Sequence, residues 1–151
     1  MAKLSGGIGR LEPEAPMKLL RINHLGIAAP ALADAMDRMG RLFGMEAEHV
    51  EEVPEQRVRT AFFPVGPSTL EYLEATDPEG PVGKFLAKKG PGIHHVAFEV
   101  DDVDEAVREL LAKGVRMIDQ VPRAGAHGAR IAFLHPAETG GVLMELCQSA
   151  R

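Results

Sequence analysis

Two stretches decide how this chain folds: RINHLGIAAPALADAMDRMG over residues 21–40 and GIHHVAFEVDDVDEAVREL over residues 92–110. Each runs from a short apolar segment of strand character into a segment with apolar residues at helical spacing. Superimposed at a separation of 71 residues, Ile22-Asn23-His24-Leu25 falls on Ile93-His94-His95-Val96. Leu32, Ala35 and Met36 then fall on Val103, Ala106 and Val107. The chain repeats itself, and the repeat governs every later assignment.

Working outward, Leu20–Ala28 reads as a strand and Ala31–Phe43 as an amphipathic helix carrying Leu32, Ala35, Met36, Met39 and Phe43 on one side. Strands are expected near Glu46–Val53, Val58–Val65 and Thr69–Ala75, separated by Pro54 and by Gly66-Pro67. Residues 77–91, rich in Gly, Pro and Lys, read as a linker with a short helix over Val82–Lys89. The second half then follows the same order. Ile93–Val100 is a strand and Asp102–Lys113 a helix, with Asp102 and Glu105 forming a capping box and Gly114 a stop. Strands are expected near Val115–Gln120, Ala129–Leu134 and Gly141–Leu146. Each half is therefore β-α-β-β-β, an α+β pattern, with modules over about 18–76 and 92–148 inside a single domain covering 18–151. Residues 1–17 mix Gly, Pro and charge without periodicity and are expected to be a disordered tail, or an upstream start, since Met17 could itself begin a chain.

The repeat also carries chemistry. Each half has a His in its first strand and a Glu in its last: His24 and Glu71 stand 47 residues apart, His95 and Glu145 stand 50 apart. Leu70-Glu71-Tyr72-Leu73 matches Met144-Glu145-Leu146-Cys147, and the small drift in spacing fits a longer loop near Pro122–Gly128. Alternation along a strand puts His24 on a face with Gly26 and Ala28, and His95 on a face with Ala97 and Glu99. The small residues two positions on leave room beside each imidazole. A carboxylate in a run as apolar as Val142–Cys147 is costly to bury unless paired or bound to a cation. Two imidazoles and two carboxylates suit a divalent ion such as Zn²⁺, Co²⁺, Ni²⁺, Mn²⁺ or Fe²⁺. By the same alternation His94 should face away from His95 as a packing or interface residue. His49 reads as a surface residue and His135 as a structural one.

Composition narrows the classes. The net charge is −5 and aromatics are 5% of residues, with one Tyr and no Trp. Neither a basic nucleic-acid footprint nor a stacking platform is present. No apolar run is long enough for a membrane helix, and no secretory core stands out, so the cytoplasm is the expected compartment. The single Cys147 rules out an internal disulfide and a multi-cysteine zinc site; in its apolar run it reads as a buried thiol.

The stretches INHLGIAAP (22–30), LEYLEATDPEGPVGKFLAKKGPGIHHVAFEVDD (70–102) and GAHGARIAFLHPAETGGVLMEL (125–146) resemble the vicinal oxygen chelate superfamily, also called glyoxalase/bleomycin resistance/dioxygenase, and within it the methylmalonyl-CoA epimerase family. The resemblance extends from about Lys18 to the C-terminus. It implies two tandem βαβββ modules forming one cup-shaped mixed sheet around a metal site. It implies His24, Glu71, His95 and Glu145 as ligands to a divalent ion, Co²⁺ before Zn²⁺, Ni²⁺ or Mn²⁺. The activity implied is interconversion of (R)- and (S)-methylmalonyl-CoA through a metal-stabilised enolate. An acyl-CoA substrate and a homodimer come with it, and neither nucleic acid nor membrane is an expected partner. Some relatives carry a catalytic Glu on the third strand, where this chain has Thr60, a side chain unfit as a base at neutral pH. Two-base proton transfer is then assigned to Glu145 and Glu71, the two carboxylates at matched positions. Candidate substrate contacts are Gly125 and His127 in the loop near 122–128 and Lys84 and Lys88 in the linker helix, with Lys89, Arg123 and Arg130 as further cations for CoA.

Two rivals remain. A glyoxalase I-type lactoylglutathione lyase would use the same four ligands, and the FLxKxGxGxHH and HPxxxGGVLxEL blocks favour the epimerase over it. A metal-free small-molecule binding protein would rely on aromatic grooves, which this composition lacks, and would have no use for four ligands.

Overall fold

The computed structural model describes residues 16–151. Eight strands form one mixed sheet in the order β2-β3-β4-β1-β5-β8-β7-β6. Its first half holds β1 (Arg21–Ala28), α1 (Leu32–Phe43), β2 (His49–Val53), β3 (Val58–Val65) and β4 (Ser68–Ala75); α2 (Pro81–Lys89) follows as the linker. The second half holds β5 (Gly92–Glu99), α3 (Val103–Ala112), β6 (Arg123–Ala124), β7 (Arg130–Phe133) and β8 (Met144–Gln148). The halves meet where β1 and β5 pair antiparallel, and each outer set returns by a parallel pairing, β1 with β4 and β5 with β8. The α+β class read from the repeat and the two-module sheet implied by the resemblance are both observed.

The two faces of the sheet have separate cores. α1 sets Leu32 and Met39 against Ala61 and Phe63, and α3 sets Val103, Ala106 and Val107 against Ala132 and Leu146. These helices cover the outer, convex face. α2 instead joins Val82, Phe85 and Leu86 to Ala28, Val58 and Leu73, the inward-facing residues of the first half. It closes one end of the concavity.

Helix boundaries follow local chemistry. Asp102 accepts a hydrogen bond from the Glu105 N–H at 3.1 Å, capping α3, while the Glu105 side chain turns to Arg108. The capping box is therefore half made. Gly44 ends α1 at φ 65°, a left-handed conformation that a Cβ would strain.

One expected strand does not form. The segment Val115–Gln120 forms no strand beyond a single bridge between Met117 and Leu134. Backbone bonds run from the Ile118 N–H to Phe133 O and from the His135 N–H to Arg116 O, but the Phe133 N–H goes to the Asp119 carboxylate at 2.8 Å, which also holds Arg123 at 2.9 Å, so the ladder stops there. The strand of that position is the two-residue β6. The tail expected over residues 1–17 lies up to residue 15 outside the described residues; Met17 itself packs beside the α3 core and donates its N–H to Glu109 at 2.8 Å. Finally, the β1–β5 pairing is not regular. Asn23 is an extra residue on β1, between the Ile22/Phe98 and His24/Ala97 pairs. His94 is an extra residue on β5, between the Gly26/His95 and Ile27/Ile93 pairs. Each is a β-bulge, and each directly precedes the histidine of its own half.

Candidate metal centre

The concave face holds a cavity of about 330 Å³, lined by His24, Glu71 and Glu145 and, from the first half, by Thr60, Phe62 and Leu73. Strand register delivers these side chains. His24 pairs with Thr69 and Ala97, Gly26 pairs with Glu71 and His95, and Ala97 pairs with Glu145, so neighbouring strands supply successive members of the group. All four are buried.

His24 Nε2 lies 3.1 Å from His95 Nε2 and 3.6 Å from Glu145 Oε1, and His95 Nε2 lies 3.0 Å from that same oxygen. Donor atoms about 2.0–2.2 Å from one ion stand about 3.0–3.5 Å apart, so these three fit a common cation. Glu71 reaches the other nitrogen of His24, its Oε2 lying 3.2 Å from Nδ1. The fold brings the four expected residues together, three converging and the fourth alongside. The room foreseen beside the imidazoles is real: a Cβ on Gly26 would stand 2.2 Å from His95 Cε1.

Burial dominates the electrostatics. It pushes Glu71 up to about 7, with the Glu145 and Glu51 charges adding and His24 opposing. Burial would also raise Glu145, but the charge and hydrogen bonds of His24 and His95 outweigh it and hold that carboxyl down to about 2. His24 is depressed by burial, yet Glu145 and Glu71 raise it above the ordinary imidazole range. Cys147 is the buried thiol expected of it; burial pushes it up, and its Sγ lies within 4.8 Å of ligand atoms of His24 and Glu145.

His94 corrects the reading by alternation. The bulge breaks the two-residue period, and His94 turns its Nδ1 to within 2.9 Å of His95 Nδ1. Its ring also stands edge-on to Phe85 of α2, with centroids 5.0 Å apart. Burial and the His95 charge hold His94 down to about 4, so it is neutral near pH 7. In the first half Asn23 Oδ1 lies 2.6 Å from His24 Nδ1.

At the lip of the cavity His127 adopts a left-handed conformation (φ 57°), stacks on Phe62 at 4.1 Å and donates its backbone N–H to Glu51. This contact ties the second-half loop to β2. His49, about half exposed, pairs with Glu51 at 3.2 Å and stacks on Phe62, so it is more engaged than a plain surface residue. Gly125 lies behind His127, where a Cβ would meet Ile131 at 2.8 Å. Thr60 is buried in the wall, paired across the strands with Glu51. His135 is structural, accepting the Ala137 N–H.

Lys84 and Lys88 are exposed on α2 and do not line the cavity. Arg130 pairs with Asp104, and Arg123 with Asp119. Sequence reasoning missed Arg21, Asn23 and Ser149, which line the cavity around Glu99. Their only signal was the place of Arg21 and Asn23 on the same strand as His24 and of Ser149 just past the strand of Glu145.

A profile of the glyoxalase/bleomycin resistance protein/dioxygenase superfamily matches residues 23–133. A mitochondrial methylmalonyl-CoA epimerase of Dictyostelium discoideum is 41% identical over 128 residues, 83% of this chain and 76% of the relative. A substituted Streptomyces coelicolor methylmalonyl-CoA epimerase, solved in complex with 2-nitronate-propionyl-CoA, has a TM-score of 0.85 at 42% identity, covering 88% of this chain and 96% of that one. A lactoylglutathione lyase of Arabidopsis thaliana is more distant, 27% identical over 107 residues, which span 36% of its length.

Proposed function

The chain belongs to the glyoxalase/bleomycin resistance protein/dioxygenase superfamily, and from that premise we propose that it interconverts the (R) and (S) forms of methylmalonyl-CoA. The observation that carries this reading is the buried convergence of His24, His95 and Glu145, with Glu71 beside them, in a cavity whose scaffold matches the epimerases along most of its length. The near-complete match to epimerases, against a partial and weaker one to a lactoylglutathione lyase, favours the CoA thioester over a glutathione adduct.

His24, Glu71, His95 and Glu145 would hold a divalent ion, with Co²⁺ the first choice and Zn²⁺, Ni²⁺ or Mn²⁺ as alternatives. Such an ion supplies Lewis acidity to a substrate oxygen. The side chains must move the proton. Epimerisation removes the α-proton from one face of the carbon and returns a proton to the other, so one group gains a proton as its opposite loses one. Glu145 and Glu71 are assigned these roles, because they approach His24 from opposite ring nitrogens. In the metal-free chain burial pushes Glu71 up to about 7. In that state His24 and His95 hold Glu145 down to about 2 against the effect of burial.

Gly125 and His127 are assigned to the bound substrate at the lip, and Lys84 and Lys88 to CoA phosphates beyond the cavity. Reversing both lysine charges should raise KM and leave kcat unchanged; an unaltered KM removes that assignment. A homodimer is proposed for the assembly, consistent with exposed apolar residues such as Phe43 and Leu42. The cytoplasm, whose reducing conditions suit a free buried thiol, is the proposed compartment. Among the described residues no helix is long and apolar enough to cross a membrane. The assignment of proton transfer is tested by Glu145→Gln: turnover should fall at least about a hundredfold with the ion still bound, and near-normal turnover would end it.

A further inference from the structure

Each half of the sheet places one extra residue in the β1–β5 pairing, immediately before its buried histidine. A bulge there has a particular effect. Regular alternation would send residue 23 and residue 94 to the convex face, away from the histidines that follow them. The inserted residue instead turns onto the same side as its neighbour. Asn23 thereby puts Oδ1 at 2.6 Å from His24 Nδ1, and His94 puts Nδ1 at 2.9 Å from His95 Nδ1. The Oδ1 of Asn and the Nδ1 of His occupy equivalent positions one bond beyond Cγ. The two halves use different residues to set an acceptor atom against the same ring nitrogen.

We propose that Asn23 and His94 are paired positioning residues, each accepting the Nδ1–H of the following histidine so that Nε2 of His24 and of His95 is left as the free ligand atom. The inference rests on the metal centre proposed above.

An imidazole that ligates through Nε2 must carry its proton on Nδ1, and a fixed acceptor at Nδ1 selects that tautomer and locks the ring. The orientation of Asn23 is set from behind. Its Nδ2 donates to Glu99 Oε1 at 2.7 Å and to Ser149 Oγ at 3.3 Å, which leaves Oδ1 as the atom facing His24. Glu99 is itself held by the Ser149 N–H and hydroxyl, so the network reaches from β5 to the chain end. His94 is braced by Phe85, and two facing Nδ1 atoms at 2.9 Å require one donor and one acceptor. Asn23 and His94 share their faces with one ligand histidine each; Glu71 Oε2 also lies 3.2 Å from His24 Nδ1, and Asn23 Oδ1, at 2.6 Å, is the nearer acceptor.

The test uses the full chain, stripped of metal and titrated with Co²⁺, reading both affinity and the visible d–d spectrum. His94→Phe keeps the aromatic packing on Phe85 but removes the acceptor; Asn23→Leu removes the nearer acceptor in the other half, with Glu71 Oε2 left at 3.2 Å. Each should weaken Co²⁺ binding about tenfold to a hundredfold and alter the spectrum. His94→Asn installs in the second half the residue that the first half already uses, and should bind within about threefold of the parent, an expectation that follows from the shared acceptor position. A purely structural role gives a different pattern, in which His94→Phe binds as the parent does and His94→Asn is the damaged variant. That pattern, with one ion bound per parent chain, overturns the inference while leaving the metal centre standing. A parent chain that binds no ion overturns the centre and the inference together. If a variant fails to fold, the Zn²⁺-loaded parent decides: ¹⁵N-labelled imidazoles should show slowly exchanging Nδ1–H protons on both His24 and His95, with coupling across the His95–His94 hydrogen bond. Rapid exchange of those protons with water overturns the proposal.

Discussion

Replacing Glu71 by Gln should stabilise the metal-free protein while weakening its hold on metal. The carboxyl is buried beneath Gly26 and beside His24, and burial is the main reason its pKa is pushed up to about 7. In the unfolded chain it titrates near 4.5. Below pH 4.5 the group is protonated in both states and costs the fold nothing. Between 4.5 and 7 the native state keeps a proton that the unfolded chain has released, so stability falls as pH rises, and the loss is complete above pH 8. Over that interval the ionised side chain costs the fold about 3 kcal/mol. Gln resembles the protonated form in size and hydrogen bonding, so Glu71→Gln should recover about 3 kcal/mol at pH 8.5 and about 1 kcal/mol or less at pH 5. For a domain of this size the gain at pH 8.5 corresponds to a Tm increase of roughly 6–12 °C. Urea unfolding in the presence of a chelator, run on parent and variant at both pH values, measures it. The reasoning is refuted if the variant is no more stable at pH 8.5, or if its gain is the same at pH 5. Metal titration of the same pair should move the opposite way, since the variant lacks an anionic donor. A residue that costs stability when the ion is absent and strengthens binding when it is present belongs to a site shaped for that ion.

Other perturbations follow from the same geometry. Gly26→Ala should displace the His95 ring, because the new Cβ would stand 2.2 Å from Cε1; a loss of metal affinity together with about 1–3 kcal/mol of destabilisation is expected by titration and urea unfolding. Glu145, held down to about 2 by His24 and His95 against the effect of burial, contributes stability that is present above pH 4.5 and lost as pH falls toward 2. Acid titration followed by circular dichroism should therefore show a shallower acid limb for Glu145→Gln than for the parent. Metal binding at pH 6 should release protons from Glu71 and His24, whose values stand above the ordinary ones, and release should diminish at pH 8.5; an indicator dye in weak buffer reads the difference.

Much of this was legible before any coordinates because the repeat writes the site twice. A match between Ile22–Leu25 and Ile93–Val96, closed by Glu71 and Glu145 at the far ends, carries both the topology and the candidate ligand set, since equivalent positions in two packed modules face one interior. Strand parity correctly placed His24 with Gly26 and Ala28, because β1 is regular from His24 onward. It failed at His94, because a bulge inserts one residue and resets the alternation, and nothing in IHHV distinguishes a bulged His from a regular one. The strand expected at Val115–Gln120 failed for a related reason: its apolar pattern is adequate, but Asp119 takes the Phe133 amide with a side chain, a competition that periodicity does not register. Arg21, Asn23 and Ser149 were invisible as cavity residues because their significance depends on Glu99, which lies far from Arg21 and Asn23 in sequence and becomes their neighbour only in the fold.

If the proposed function holds, these buried side chains, once loaded with a divalent ion, exchange the α-proton of a CoA thioester. The direct measurement incubates the Co²⁺-replete protein with a single epimer of methylmalonyl-CoA in D₂O and follows the α-carbon by mass spectrometry and chiral analysis. One deuterium should enter at that carbon as the optical purity decays to an equal mixture, and neither should happen with the hemithioacetal of methylglyoxal and glutathione as the alternative substrate. Retention of both the proton and the configuration in a protein shown to bind one ion per chain would contradict the account.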